Sequence, residues 1–127
     1  MKDENQVRLL IIDDSREIRN SLKKTLSPLS NIEIVGEAAD VQTSIDLIQS
    51  LLPQIVVLDF QLEDGTALEV LKPFSYQKEK PIFIIFSNFP ANQYGEACLK
   101  AGADHFFNKS HNLNEFLTMV MGIASEK

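Results

Sequence analysis

Two apolar runs in this chain end on acid: Leu9-Leu10-Ile11-Ile12 leads into Asp13-Asp14, and Ile55-Val56-Val57-Leu58 leads into Asp59. Carboxylates packed together repel one another and raise one another's pKa. A cluster of them therefore suits either the grip of a hard divalent cation or acid/base and nucleophilic chemistry. The three acids converge if both runs are neighbouring strands of one parallel sheet, because the carboxyl ends of such strands share the edge where ligands bind in open α/β folds.

The elements needed to position them are legible along the chain. Apolar runs occur at Val7 to Ile12, Ile32 to Val35, Ile55 to Leu58, Ile82 to Phe86 and, more weakly, His105 to Phe107. The first, third and fourth are almost unbroken, which suits strands covered on both faces. Between them, Ile18, Leu22, Leu26 and Leu29 fall at helical spacing, as do Val41, Ile45, Ile48 and Leu52, and finally Leu113, Phe116, Leu117 and Val120. Shorter patterns, Leu68 with Leu71 and Tyr94 with Ala97, Cys98 and Ala101, fill the remaining gaps and are bounded by Pro73 and Gly102. The expected fold is a (βα)5 doubly wound parallel sheet, a flavodoxin-like three-layer sandwich, with strand order left open.

A chain of 127 residues with 44% hydrophobic content can bury one core, so a single domain is expected over 1–127, with its core at about 7–124. The formal net charge of -6 argues against broad nucleic-acid binding, which needs Lys and Arg to neutralise phosphates. The lone cysteine, Cys98, cannot form an internal disulfide and sits on an apolar stripe. Met1 to Gln6 carries no charged-then-apolar leader, and no apolar run approaches the roughly 20 residues that cross a bilayer, so a cytoplasmic location without membrane contact is expected.

Each strand end carries a polar residue: Asp13 and Asp14, then Asp59, Ser87 and Lys109. Carboxylates to bind Mg²⁺, a hydroxyl to hydrogen-bond a phosphoryl oxygen and an ammonium to neutralise charge make up an apparatus for phosphoryl transfer. Taken alone, Asp13-Asp14-Ser15 would read as a helix cap, Ser87-Asn88 as a turn and Lys109 as a solvated lysine. Their joint occurrence reverses those readings. His105 and His111 lack the partners of a transition-metal site and read as surface residues. One of the alternating pair Phe106 and Phe107 is expected in the core.

The order Asp13-Asp14, Asp59, Ser87, Lys109 resembles the receiver domain of two-component response regulators of the chemotaxis-regulator type. The segment from Asp59 to Gly65 and the run Ala101-Gly102-Ala103-Asp104 leading through Phe106 to Lys109 support it. The resemblance covers about Val7 to Ala124. It implies that Asp59 accepts a phosphoryl group from a sensor histidine kinase or phosphotransfer protein. It further implies that Asp14, Asp59 and the Gln61 backbone carbonyl ligate Mg²⁺, with Asp13 acting through a metal-bound water. Ser87 and Lys109 would contact phosphoryl oxygens. Phe106 would move inward with Ser87 as a switch, changing a surface read by a downstream protein.

The family usually has proline with a cis peptide where this chain has Ser110. A non-proline cis bond costs about 3 kcal/mol, so a trans bond is expected, with Lys109 entering at a slightly different angle. Asn88 stands where a small residue is common and is expected to narrow access to Asp59. No DNA-binding or catalytic domain follows within the chain, so a stand-alone switch is the leading expectation, not an enzyme beyond its own phosphorylation and dephosphorylation. The alternatives are a phosphorylation-independent binding or dimerisation module and the receiver half of a larger transcription regulator. A homodimer is left open. A phosphohydrolase with Asp-x-Asp after the first strand is opposed by Asp13-Asp14-Ser15, and an FMN carrier by the acidic pair.

Overall fold

The computed structural model describes residues 6–88 and 91–125, of which 91–93 by backbone only. The segment read for a leader therefore lies, up to residue 5, outside the described residues. Five parallel strands form the main sheet: β1 (Val7–Ile12), β2 (Ile32–Ala38), β3 (Ile55–Leu58), β6 (Ile82–Ser87) and β7 (His105–Asn108), in the order β2-β1-β3-β6-β7. A two-residue hairpin, β4 (Gln61–Leu62) and β5 (Gly65–Thr66), follows β3. The helices are α1 (Arg16–Leu26), α2 (Val41–Leu51), α3 (Ala67–Leu71), α4 (Ala91–Lys100) and α5 (Leu113–Ser125).

The unbroken apolar strands divide their side chains between two cores, since successive residues point to opposite faces. Leu10, Ile12, Val56, Leu58, Phe83 and Ile85 pack with residues of α2, α3 and α4. Leu9, Ile11, Ile55, Val57, Ile84 and Phe86 face α1 and α5. Phe86 and Phe116 stack in the second core with ring centroids 4.3 Å apart, and Phe107 meets Phe116 edge-on at 6.2 Å. This is the three-layer sandwich expected from the run pattern.

Local chemistry starts and stops the helices. The Ser15 hydroxyl accepts from Ile18 N at 3.3 Å, and Asp40 accepts from Thr43 N at 3.0 Å, satisfying first-turn donors that a helix leaves unpaired. α3 opens on a capping box between Thr66 and Glu69, but lasts only five residues before Lys72–Phe74 tightens into a 3-10 turn. Gly102, with φ +117°, ends the turn after α4 in a conformation that side chains rarely adopt. Asp104 then ties the sheet together: its backbone N–H donates to Phe83 O at 2.8 Å and its carboxylate accepts from Phe83 N at 2.9 Å.

Three sequence expectations shift. Leu52 leaves the α2 stripe, capping the helix in a left-handed conformation with φ 50° and lying 71% exposed. Leu29 lies past the end of α1, although it still packs against the α1/α5 core. Phe106 and Phe107 are both half-buried, one on each face of the sheet, because β7 is an edge strand and each face of an edge is covered from one side only.

Candidate functional site

β1 and β3 are direct neighbours, with Ile12 paired to Leu58, so their carboxyl ends deliver Asp13, Asp14 and Asp59 to one place. One oxygen from each of the three carboxylates lies within 4.8 Å of the others. Asp13 and Asp59 are buried, whereas Asp14 is exposed. Together with Ser15, Ile18, Gln61, Ser87, Asn88 and Lys109 they line a cavity of about 300 Å³. The larger hollows lie elsewhere and bring no comparable acid cluster together.

Lys109 enters this cavity from the end of β7. Its Nζ lies 2.6 Å from Asp13 Oδ2 and 3.3 Å from Asp59 Oδ2. Its backbone N–H donates to Ser87 O at 3.0 Å, continuing the β6–β7 ladder past the strand end. The described residues contain no cis peptide, so the bond after Lys109 is trans. The Asn108 carboxamide oxygen accepts from Ser110 N at 2.8 Å and His111 N at 3.1 Å, which shapes the turn.

Asp59 Oδ1 accepts from Phe60 N at 2.8 Å, which leaves Oδ2 toward Lys109. Burial, and then the adjacent Asp13 charge, push the Asp59 carboxyl above its ordinary pKa, while Lys109 and hydrogen bonding from Ser87 pull it down. Three carboxylates and one ammonium leave two negative charges, and the donors are hard oxygens; both features fit a small divalent cation. Gln61 is exposed on β4 at the rim, positioned by the hairpin.

Sequence reasoning missed Arg19. Its guanidinium donates to the Asp13 backbone carbonyl at 2.7 Å and pairs with Glu37 at 2.7 Å, fixing the turn that carries the acids. The only available signal was an Arg one turn into α1, which is indistinguishable from a solvated helix residue. Phe106 lies outside the cavity lining and packs against the α2/α3/α4 core. Cys98 is fully buried, His111 is exposed, and His105 is half-buried with its ring 6.2 Å from that of Phe107.

The fold and site define a class of protein: a doubly wound α/β sheet whose neighbouring inner strands β1 and β3 carry an acid cluster at their carboxyl ends, the edge where open α/β folds bind ligands. Residues 9–121 match the family described as response regulator receiver domain, and the chain belongs to it. Among curated relatives, the transcriptional regulatory protein MctR of Rhizobium johnstonii is 22% identical over 98% of this chain and 58% of its own length. The nitrate/nitrite response regulator protein NarL of Escherichia coli is 27% identical over 92% of this chain and 54% of its own. The chain thus spans about half the length of the curated relatives it matches. A LuxR-family two-component response regulator from Aurantimonas sp. SI85-9A1 superposes with a TM-score of 0.85 at 21% identity, covering 96% of this chain and 87% of that one. The response regulator domain of Thermotoga maritima CheB gives 0.81 at 21% identity, with 95% of each chain covered. No helix among the described residues is long and apolar enough to cross a membrane.

Proposed function

We propose that this receiver domain is a Mg²⁺-dependent phosphorylation switch with Asp59 as phosphoacceptor. The observation that carries the reading is the gathering of three carboxylate oxygens within 4.8 Å, with the Lys109 ammonium 3.3 Å from Asp59. Asp59 attacks the phosphorus of a phosphohistidine on a sensor kinase or phosphotransfer protein; the P–N bond breaks, an acyl phosphate forms and the imidazole leaves with a proton. Water later attacks the same phosphorus, releasing inorganic phosphate and restoring the carboxylate.

Asp14, Asp59 and the Gln61 carbonyl would hold Mg²⁺, with Asp13 acting through water. The cation supplies charge neutralisation of the transferring group. Lys109 neutralises a phosphoryl oxygen, leaving Asp13 as it does so, and Ser87 hydrogen-bonds another. Pulling Ser87 inward draws on the β6–β7 edge, where Phe106 pairs with Ile85 and can shift its ring as the exposed surface is remodelled for a downstream partner. The cytoplasm, where kinase and donor meet, is the proposed compartment.

A second reading places this domain as the receiver half of a larger regulator. It is favoured by the coverage of only 54 to 58% of NarL and MctR, whose names describe a response regulator and a transcriptional regulator. The direct test is intact mass after incubation with acetyl phosphate, with and without Mg²⁺, for wild type and Asp59→Asn. One added phosphoryl group is expected only with Mg²⁺ and only with Asp59 intact. Uptake by Asp59→Asn equal to wild type would remove Asp59 from the role.

A further inference from the structure

The loops after β6 and β7 are joined across the edge of the cavity by a side-chain contact: Ser110 Oγ donates to Asn88 Oδ1 at 3.1 Å. Asn88 lines the cavity beside Ser87 and Lys109, whereas Ser110 does not. Ser110 is itself held in place, since its N–H donates to Asn108 Oδ1 at 2.8 Å and Asn108 N donates to Asn112 Oδ1 at 3.0 Å. The neighbouring Lys109 N–H to Ser87 O bond, 3.0 Å, pins the two loops at their roots. The carboxamide of Asn88 is therefore held from outside the cavity by an exposed residue of the hydrogen-bonded turn after β7.

We infer that Ser110 is a positioning residue, and that its clasp on Asn88 restricts entry to Asp59 from the β6–β7 side. The clasp would slow both the arrival of a phosphodonor and the approach of the hydrolytic water. This inference rests on the Asp59 reading above. A tethered carboxamide occupies one direction of approach, whereas a free one rotates out of the way, so the clasp acts on both steps and prolongs whichever state the domain is in. It leaves the acids alone, because neither Asn88 nor Ser110 is a partner of Asp13, Asp14 or Asp59 in the hydrogen bonds described above.

The test follows phosphoryl uptake from acetyl phosphate and its loss after donor removal, both by intact mass, in wild type, Ser110→Ala, Ser110→Thr, Asn88→Ala and the double alanine variant. Ser110→Ala is expected to accelerate both steps by about threefold to tenfold, the range that one gating hydrogen bond supplies. Ser110→Thr, which keeps the hydroxyl, should match wild type. The double variant should be no faster than Asn88→Ala, because the two residues act through one contact. Mg²⁺ affinity should be the same in wild type and Ser110→Ala, a readout that collapse of the site would move. Equal rates in wild type and Ser110→Ala, or effects that multiply in the double variant, overturn the clasp while leaving Asp59 phosphorylation standing. A mass that shifts in none of these proteins, Ser110→Ala and Asn88→Ala included, overturns the Asp59 reading and the clasp with it, whereas uptake confined to the alanine variants supports both.

Discussion

The Lys109 ammonium stands 2.6 Å from Asp13 Oδ2, nearer than the 3.3 Å that separate it from Asp59. In this arrangement the lysine lies closest to the carboxylate of Asp13, and Asp59 keeps one oxygen within reach of both the lysine and the cavity.

A divalent cation held by these acids would share their negative field with Lys109. Replacing Lys109 by Met removes a positive charge beside two buried carboxylates and is expected to tighten Mg²⁺ binding by at least about threefold, as Coulomb repulsion between like charges a few ångströms apart requires. Isothermal titration of both proteins checks this. Weaker binding in Lys109→Met would mean that lysine organises the acids instead of competing with the ion.

Glu37 at the end of β2 receives hydrogen bonds from Lys23 and Arg19, in that order of influence, and its carboxyl pKa is lowered from the ordinary value of 4.5. A carboxyl whose folded pKa is depressed stabilises the fold above its unfolded pKa, and that contribution is lost as pH falls through the folded value. The gap in urea midpoint between wild type and Glu37→Gln should therefore be present at pH 7 and shrink below about pH 4.5. The side chain is 34% exposed, so screening holds the effect to under about 1 kcal/mol. A gap that grows in acid would contradict the assignment.

Burial pushes the Cys98 thiol up to about 11. The thiolate is the reactive form, so at pH 8 the native protein should react with a disulfide reagent far more slowly than the urea-unfolded chain. Equal rates in the two states would place Cys98 outside the core described here.

Phe116 is fully buried between Phe86 and Phe107, and Phe116→Ala should cost about 3 to 5 kcal/mol through lost transfer energy and the cavity left behind. Tyr76 is 93% exposed, and Tyr76→Ala should change stability by no more than about 0.5 kcal/mol. Chemical denaturation of both variants checks the contrast.

Run length and spacing were enough to read five strands and the helices between them, because burial on two faces demands continuous apolar runs and burial on one face demands helical periodicity. They also marked which polar residues stand at strand ends, since Asp13 and Asp59 each follow the last apolar residue directly. Local pattern failed where tertiary cover decides the outcome. Leu52 has the right spacing for α2 yet lies beyond its C-terminus, and the β4–β5 hairpin is too short to leave a periodic trace. The order β2-β1-β3-β6-β7, and with it the meeting of Asp13 with Asp59, depends on which strands pair, a choice made by packing among residues some 45 positions apart. Lys109, Arg19 and Ser110 found their partners in the same way. A side-chain hydrogen bond between distant segments leaves no period in the residue order, and only the assembled sheet brings its two ends within reach.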